Sequence, residues 1–135
     1  MFLTKVLGRI VPEFTLDSGI KFDMLSRDPT VAAAVDADPL CHTLVTAGWG
    51  LAMLRTVALV FEKAPQYPLP LLLMHGTKDE IAYPSSSSLF AELAPRDKVT
   101  LKMWEGFKHE LHTDPEKAAV FKVMVDWLDK QLAGK

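Results

Sequence analysis

The stretch Leu69-Pro70-Leu71-Leu72-Leu73-Met74-His75-Gly76-Thr77-Lys78-Asp79 decides how this chain is read. From Leu69 to Met74 it is apolar without alternation, the pattern of a strand covered on both faces in a parallel sheet. Pro70 has no N–H to donate and limits pairing at the start. His75-Gly76 ends the run, and Asp79 follows five residues after Met74.

Downstream the pattern repeats with different partners. Pro84 and Ser85-Ser86-Ser87-Ser88 supply helix-start and capping chemistry, Leu89, Phe90 and Leu93 form an inward stripe, and Pro95 lies just beyond the helix end. Val99, Leu101 and Met103 alternate with Thr100, Lys102 and Trp104, which predicts a half-exposed strand near a sheet edge. Asp114 and Pro115 open a last helix whose Phe121, Met124, Val125, Leu128 and Leu132 lie opposite Lys122, Asp126, Asp129 and Lys130. Strand, helix, strand, helix predicts a right-handed parallel crossover, with ligands beyond the C-terminal ends of the strands. Asp79 falls there, and so does His109, five residues after Trp104.

Upstream the chain is helical. Residues 30–37 form a short alanine-rich helix that Asp38-Pro39 stops, because proline pushes the preceding residue out of the α region. Thr43 is expected to cap a longer helix running to about Lys63 and apolar on nearly every face. The change of layer falls at Pro65-Gln66-Tyr67-Pro68. The expected fold class is therefore α/β: a helical segment, 1–65, then a βαβα unit with parallel strands, 66–135, together one compact domain.

At 135 residues the chain is long enough for a hydrophobic core, and with 49% apolar residues its composition is that of an ordered globular protein. Its 15 basic and 17 acidic side chains leave a formal charge of −2, with no basic excess to steer nucleic acid or an anionic membrane. The lone Cys41 cannot form an internal disulfide and no secretory leader is recognisable, so a cytoplasmic location is expected. Residues 44–61 approach the ~17-residue lower limit for crossing a bilayer. Arg55 at mid-span and the interruptions Gly48 and Gly50 favour a buried or lid helix over stable membrane insertion.

Asp79 and His109, on loops after neighbouring parallel strands, can form the orienting half of a hydrolytic triad. The carboxylate fixes the imidazole tautomer, and the free ring nitrogen takes a proton from a nucleophile. Bland readings stand beside this one: a turn aspartate and a loop histidine bonded to backbone. His109 and His112 are three apart where a helical zinc motif needs four, so no metal or other cofactor is expected. Helix capping is the expected role of Ser85 to Ser88, a turn that of Ser18, and burial as an inert thiol that of Cys41. Leu44, Trp49, Leu51, Met53 and Leu54 read from the residues alone as core packing, as do Trp104 and Trp127.

Four segments resemble the α/β-hydrolases related to monoacylglycerol lipases and lysophospholipases, of the serine aminopeptidase S33 type. Pro70 to Asp79 looks like their acid-bearing strand and turn. Thr100-Leu101-Lys102-Met103-Trp104-Glu105-Gly106-Phe107-Lys108-His109-Glu110-Leu111 resembles their last strand and histidine loop. Leu25-Ser26-Arg27-Asp28-Pro29 and Asp38-Pro39-Leu40-Cys41-His42 resemble the lid region. The resemblance implies the C-terminal part of such a fold, with Asp79 as triad acid and His109 as general base. It also implies a lid over 1–65 whose Leu44, Trp49, Leu51, Met53 and Leu54 bind an acyl chain.

The chain departs from the family at the nucleophile. Gly-x-Ser-x-Gly does not occur in the 135 residues, and neither does an early His-Gly oxyanion loop, for which His75-Gly76 is no substitute. The expected function is a carboxylic ester hydrolase of monoacylglycerol-lipase type, truncated and weak or inactive, taking a small lipid or ester substrate. A non-catalytic lipid-binding or oligomerising remnant is the alternative. With only two strands expected, the apolar strand at Leu69 would leave an open edge, which a second copy of the chain would cover.

Overall fold

A computed structural model describes residues 2–133. The chain is a mixed α/β fold built around two small sheets. Helix α1 (Phe2–Ile10) leads into strand β1 (Thr15–Asp17), α2 (Pro29–Ala37), strand β2 (Leu44–Thr46) and α3 (Ala47–Lys63). The second half runs β3 (Leu71–Gly76), α4 (Pro84–Leu93), β4 (Val99–Trp104) and α5 (Lys117–Ala133).

In the first half, α1 packs on α3 because Gly8 presents no side chain. A Cβ there would lie 2.7 Å from both the Ala47 carbonyl oxygen and the Leu51 Cβ. Ala47 and Leu51 are buried at this crossing. Helix α3 starts later than the sequence predicts. The side chain of Thr46, and not that of Thr43, accepts a hydrogen bond from the Trp49 N–H at 3.1 Å. Residues 44–46 are extended instead and pair antiparallel with β1, Leu16 opposite Val45. Val45 is β-branched and suits a strand better than a helix, and Thr46 both ends the strand and caps α3. Thr43 serves this sheet, its hydroxyl donating to Asp17 Oδ2 at 2.9 Å.

Strands β3 and β4 are parallel and in register from Leu71 opposite Val99 to Gly76 opposite Trp104, so their C-terminal ends are level. Helix α4 crosses between them and packs on both, as the crossover pattern predicts. Strand β4 alternates as expected, with Thr100 and Lys102 exposed. Strand β3 does not show the expected double-sided burial: Leu71 to His75 are half-buried and only Gly76 is buried. The sheet contains just these two strands, so the outer edge of β3 has no partner among the described residues.

The same shortage of covering layers opens the helices. Of the α5 face, Val120 is buried, while Phe121, Met124, Val125, Leu128 and Leu132 are 37 to 66% exposed. In α4, Leu89 and Leu93 are exposed and Phe90 alone of the predicted stripe turns inward, edge to face with Tyr67. Cys41, expected to be buried, is exposed in the turn after α2. Trp104 and Trp127 are half-buried. Among the described residues no helix is long and apolar enough to cross a membrane.

Candidate functional site

The level strand ends bring two loops together, and Gly76 sets how closely they approach. A Cβ on Gly76 would overlap the carbonyl oxygens of Phe107 and Lys108, so only glycine lets the second loop close over the first. Three bonds then lock them: Thr77 N–H to Trp104 O at 2.9 Å, Lys78 N–H to Phe107 O at 2.8 Å, and Gly106 N–H to the Thr77 hydroxyl at 2.8 Å. Gly106 turns with φ +78°, a conformation that disfavours side chains.

This junction places Asp79 and His109 in contact. Asp79 Oδ2 lies 2.9 Å from His109 Nδ1, and Asp79 Oδ1 accepts from the N–H groups of Ile81 at 2.8 Å and Ala82 at 3.0 Å. The Asp79 side chain is 2% exposed and that of His109 37%. Burial pushes the Asp79 carboxyl up, but the Ala82 N–H, the His109 ring and the Ile81 N–H outweigh it and hold the group below the usual carboxylate range. The acid is thus ionised and fixed, while the imidazole keeps an open side. Because Nδ1 faces a carboxylate it carries the proton, which leaves Nε2 free to accept one.

A third group, absent from the sequence prediction, completes the junction. His75, the fifth residue of β3, has its Nε2 2.9 Å from the same Oδ2 of Asp79 and 3.0 Å from the Ala82 carbonyl. Its Nδ1 is 2.7 Å from Ser87 Oγ. The only sequence signal was its spacing, four residues before Asp79 at the end of the same strand. The serine run therefore does not cap α4: its N-cap residue is Tyr83, with no side-chain cap bond, and Ser87 faces His75.

The histidine loop is braced by a segment from the first half. Arg27 makes a bidentate pair with Asp114, both contacts 2.6 Å, and also reaches Glu116 at 2.7 Å. Its guanidinium stacks 4.1 Å above the Phe107 ring. Asp114 is 1% exposed, and the Arg27 guanidinium beside it holds its carboxyl below the usual range. Glu110 contributes its backbone, donating to Leu25 O at 2.8 Å. Residues 25–28, similar in sequence to a lid, thus lie against the His109 loop and the start of α5.

On the far side His109 borders an open trough of about 470 Å³, lined by Leu72, Leu73 and Met74 of β3 and by Val120, Phe121 and Met124 of α5, with Leu111 and His112. The five apolar candidates from the first half are not on it. Leu51 is buried against α1, Leu54 is half-buried, and Leu44, Trp49 and Met53 are exposed. A second hollow of about 220 Å³ lies beside the acid loop between Lys21, Lys78, Lys108, Asp23 and Glu80. Among the described residues no three His, Cys, Asp or Glu side chains are grouped to hold a metal.

Parallel strands joined by a helix, with an acid and an imidazole on the loops beyond their C-terminal ends, are consistent with a partial α/β-hydrolase arrangement. The family model described as serine aminopeptidase, S33, matches residues 1–116, and the chain belongs to that family. It is 31% identical to a monoacylglycerol lipase of Mycolicibacterium smegmatis over 131 residues, 96% of this chain and 46% of that protein. It is 32% identical to the human monoglyceride lipase over 132 residues, 96% of this chain and 43% of that one. The monoacylglycerol lipase structure of Paleococcus ferrophilus superposes with a TM-score of 0.89 at 31% identity, covering 94% of this chain and 50% of that chain. A soluble variant of the monoglyceride lipase from Saccharomyces cerevisiae, at 22% identity and TM-score 0.81, shares the fold. The chain spans about half the length of these relatives.

Proposed function

We propose that this chain carries the acid and base of a carboxylic ester hydrolase of monoacylglycerol-lipase type, with Asp79 orienting His109 and a small lipid ester as substrate. The observation that supports it is the 2.9 Å contact between a buried, ionised carboxylate and an imidazole whose other nitrogen is unpaired among the described residues. In the complete family mechanism, His109 Nε2 would take the proton of a serine hydroxyl as that oxygen attacks the ester carbonyl. It would return the proton to the leaving alcohol, then activate water to release the acid. Asp79 would stabilise the imidazolium in both halves. The serine elbow and oxyanion donors are not among the 135 residues, so the chain alone is expected to turn over slowly. Weak hydrolysis of a p-nitrophenyl ester by the purified chain, abolished in His109→Ala, is the expected result. Equal turnover in that variant would remove His109 from the role of base.

The open trough favours a second reading, an apolar binding surface without catalysis. Its walls from β3 and α5 are lined mainly by apolar side chains, and His109 stands at its border. This reading predicts saturable binding of a fluorescent fatty acid with no ester turnover. The free edge of β3 is further proposed to be covered by a second copy of the chain through strand pairing. Sedimentation as a monomer at micromolar concentration would rule that out. The assignment of 1–65 as a lid, with Leu44, Trp49, Leu51, Met53 and Leu54 on the acyl chain, requires that segment to swing over the trough. Trp49 fluorescence that changes on lipid addition is its test.

A further inference from the structure

We propose that His75 is a positioning residue, a second imidazole that pins the Asp79 carboxylate for His109 and is itself oriented by Ser87. This rests on the reading of Asp79 and His109 as acid and base. An ionised carboxylate offers about four acceptor directions. Three N–H groups donate to Asp79, those of Ile81 and Ala82 to Oδ1 and that of His109 to Oδ2, and the His75 ring closes the remaining side with Nε2 2.9 Å from the same Oδ2.

The tautomer of His75 follows from its surroundings. Nε2 is hydrogen-bonded to the Ala82 carbonyl at 3.0 Å and lies 2.9 Å from Asp79 Oδ2, so with two acceptor oxygens beside it this nitrogen carries the proton. A neutral ring then has a bare Nδ1, which accepts the Ser87 hydroxyl proton at 2.7 Å. The His75 side chain is 12% exposed, so water has little access to replace these contacts. Serine, imidazole and carboxylate in this order have the connectivity of a hydrolytic triad. Ser87, however, borders neither of the two hollows described above, so no substrate carbonyl is offered to it. Its hydroxyl is spent on holding the ring. Ser87, His75 and Asp79 form a chain of restraint ending at His109 Nδ1, so His109 inherits its orientation from α4 as well as from its own loop.

The readout is the His109 Nδ1–H proton, followed by NMR of the intact chain through its exchange with water. Replacing His75 with Leu keeps bulk but removes the polar ring that abuts Oδ2, and should speed exchange about tenfold. Ser87→Ala, which frees the ring without removing it, should give roughly a threefold increase. His75→Gln places an amide N–H at similar reach and should restore slow exchange. Wild-type exchange in His75→Leu overturns the proposal while leaving the base assignment intact, provided Asp79→Asn abolishes the slow proton. A slow proton that survives Asp79→Asn breaks the Asp79 to His109 pairing itself. If His75→Leu does not fold, Ser87→Ala decides: unchanged exchange in a folded Ser87→Ala overturns the proposal.

Discussion

Asp79 and Asp114 are both buried carboxylates on the C-terminal half, and each ties together parts of the chain far apart in sequence. Their partners differ. Asp114 faces Arg27, a permanent cation, in a bidentate geometry that leaves no proton to move. Asp79 faces imidazoles, rings that can donate or accept a proton at nitrogen, and one of them, His109, borders a trough. Burial makes a carboxylate rigid; the partner decides whether that rigidity braces the fold or directs proton transfer.

The contrast can be broken in a definite order. Asp79→Asn should remove whatever ester turnover the chain shows, a loss of roughly 10⁴-fold in a complete triad, while lowering stability less than the loss of Arg27 does. Retained turnover would make Asp79 another brace. Arg27→Ala should do the reverse. It strands a buried charge and should cost about 3 kcal/mol in urea unfolding. Asp114→Asn in the same chain should recover part of that loss, because the stranded charge is gone. Strict additivity of the two would dissolve the pair.

Acid should sharpen the same comparison. Both carboxylates titrate lower in the folded chain than in the unfolded one. They therefore contribute stability above the unfolded carboxylate range, and lose it as pH falls through the folded values. Melting temperature should fall on the acid side, and the double variant Arg27→Ala/Asp114→Asn should flatten that limb. A limb of unchanged steepness would exclude Asp114 as its source. The smallest effect is expected at Asp28, whose side chain caps α2 by accepting from the Thr30 N–H at 2.9 Å. Asp28→Ala should cost about 1 kcal/mol by the same unfolding measurement and leave the His109 Nδ1–H proton untouched.

Several elements were legible in advance because they depend on neighbours in sequence. The apolar run into Gly76 marks β3, and the alternation from Val99 marks β4. The alanine-rich run stopped at Asp38-Pro39 marks α2, and the periodic apolar positions after Asp114-Pro115 mark α5. The loop positions of Asp79 and His109 follow from those strand ends. The four-serine run misled, since serine before an apolar stripe has the same local signature whether its hydroxyl caps the helix or points at a distant imidazole.

By itself, then, the sequence determined the strands and helices of the second half, the bodies of α2 and α3, and which two loops carry Asp79 and His109. Only the tertiary structure decided that His75 and His109 share one carboxylate oxygen, that Arg27 closes on Asp114 across 87 residues, and that β1 meets β2. It also decided that β3, apolar enough for a covered strand, lies half open. The reason is physical: periodicity and propensity are set within a few residues, whereas pairing and burial depend on which other layers the chain brings alongside.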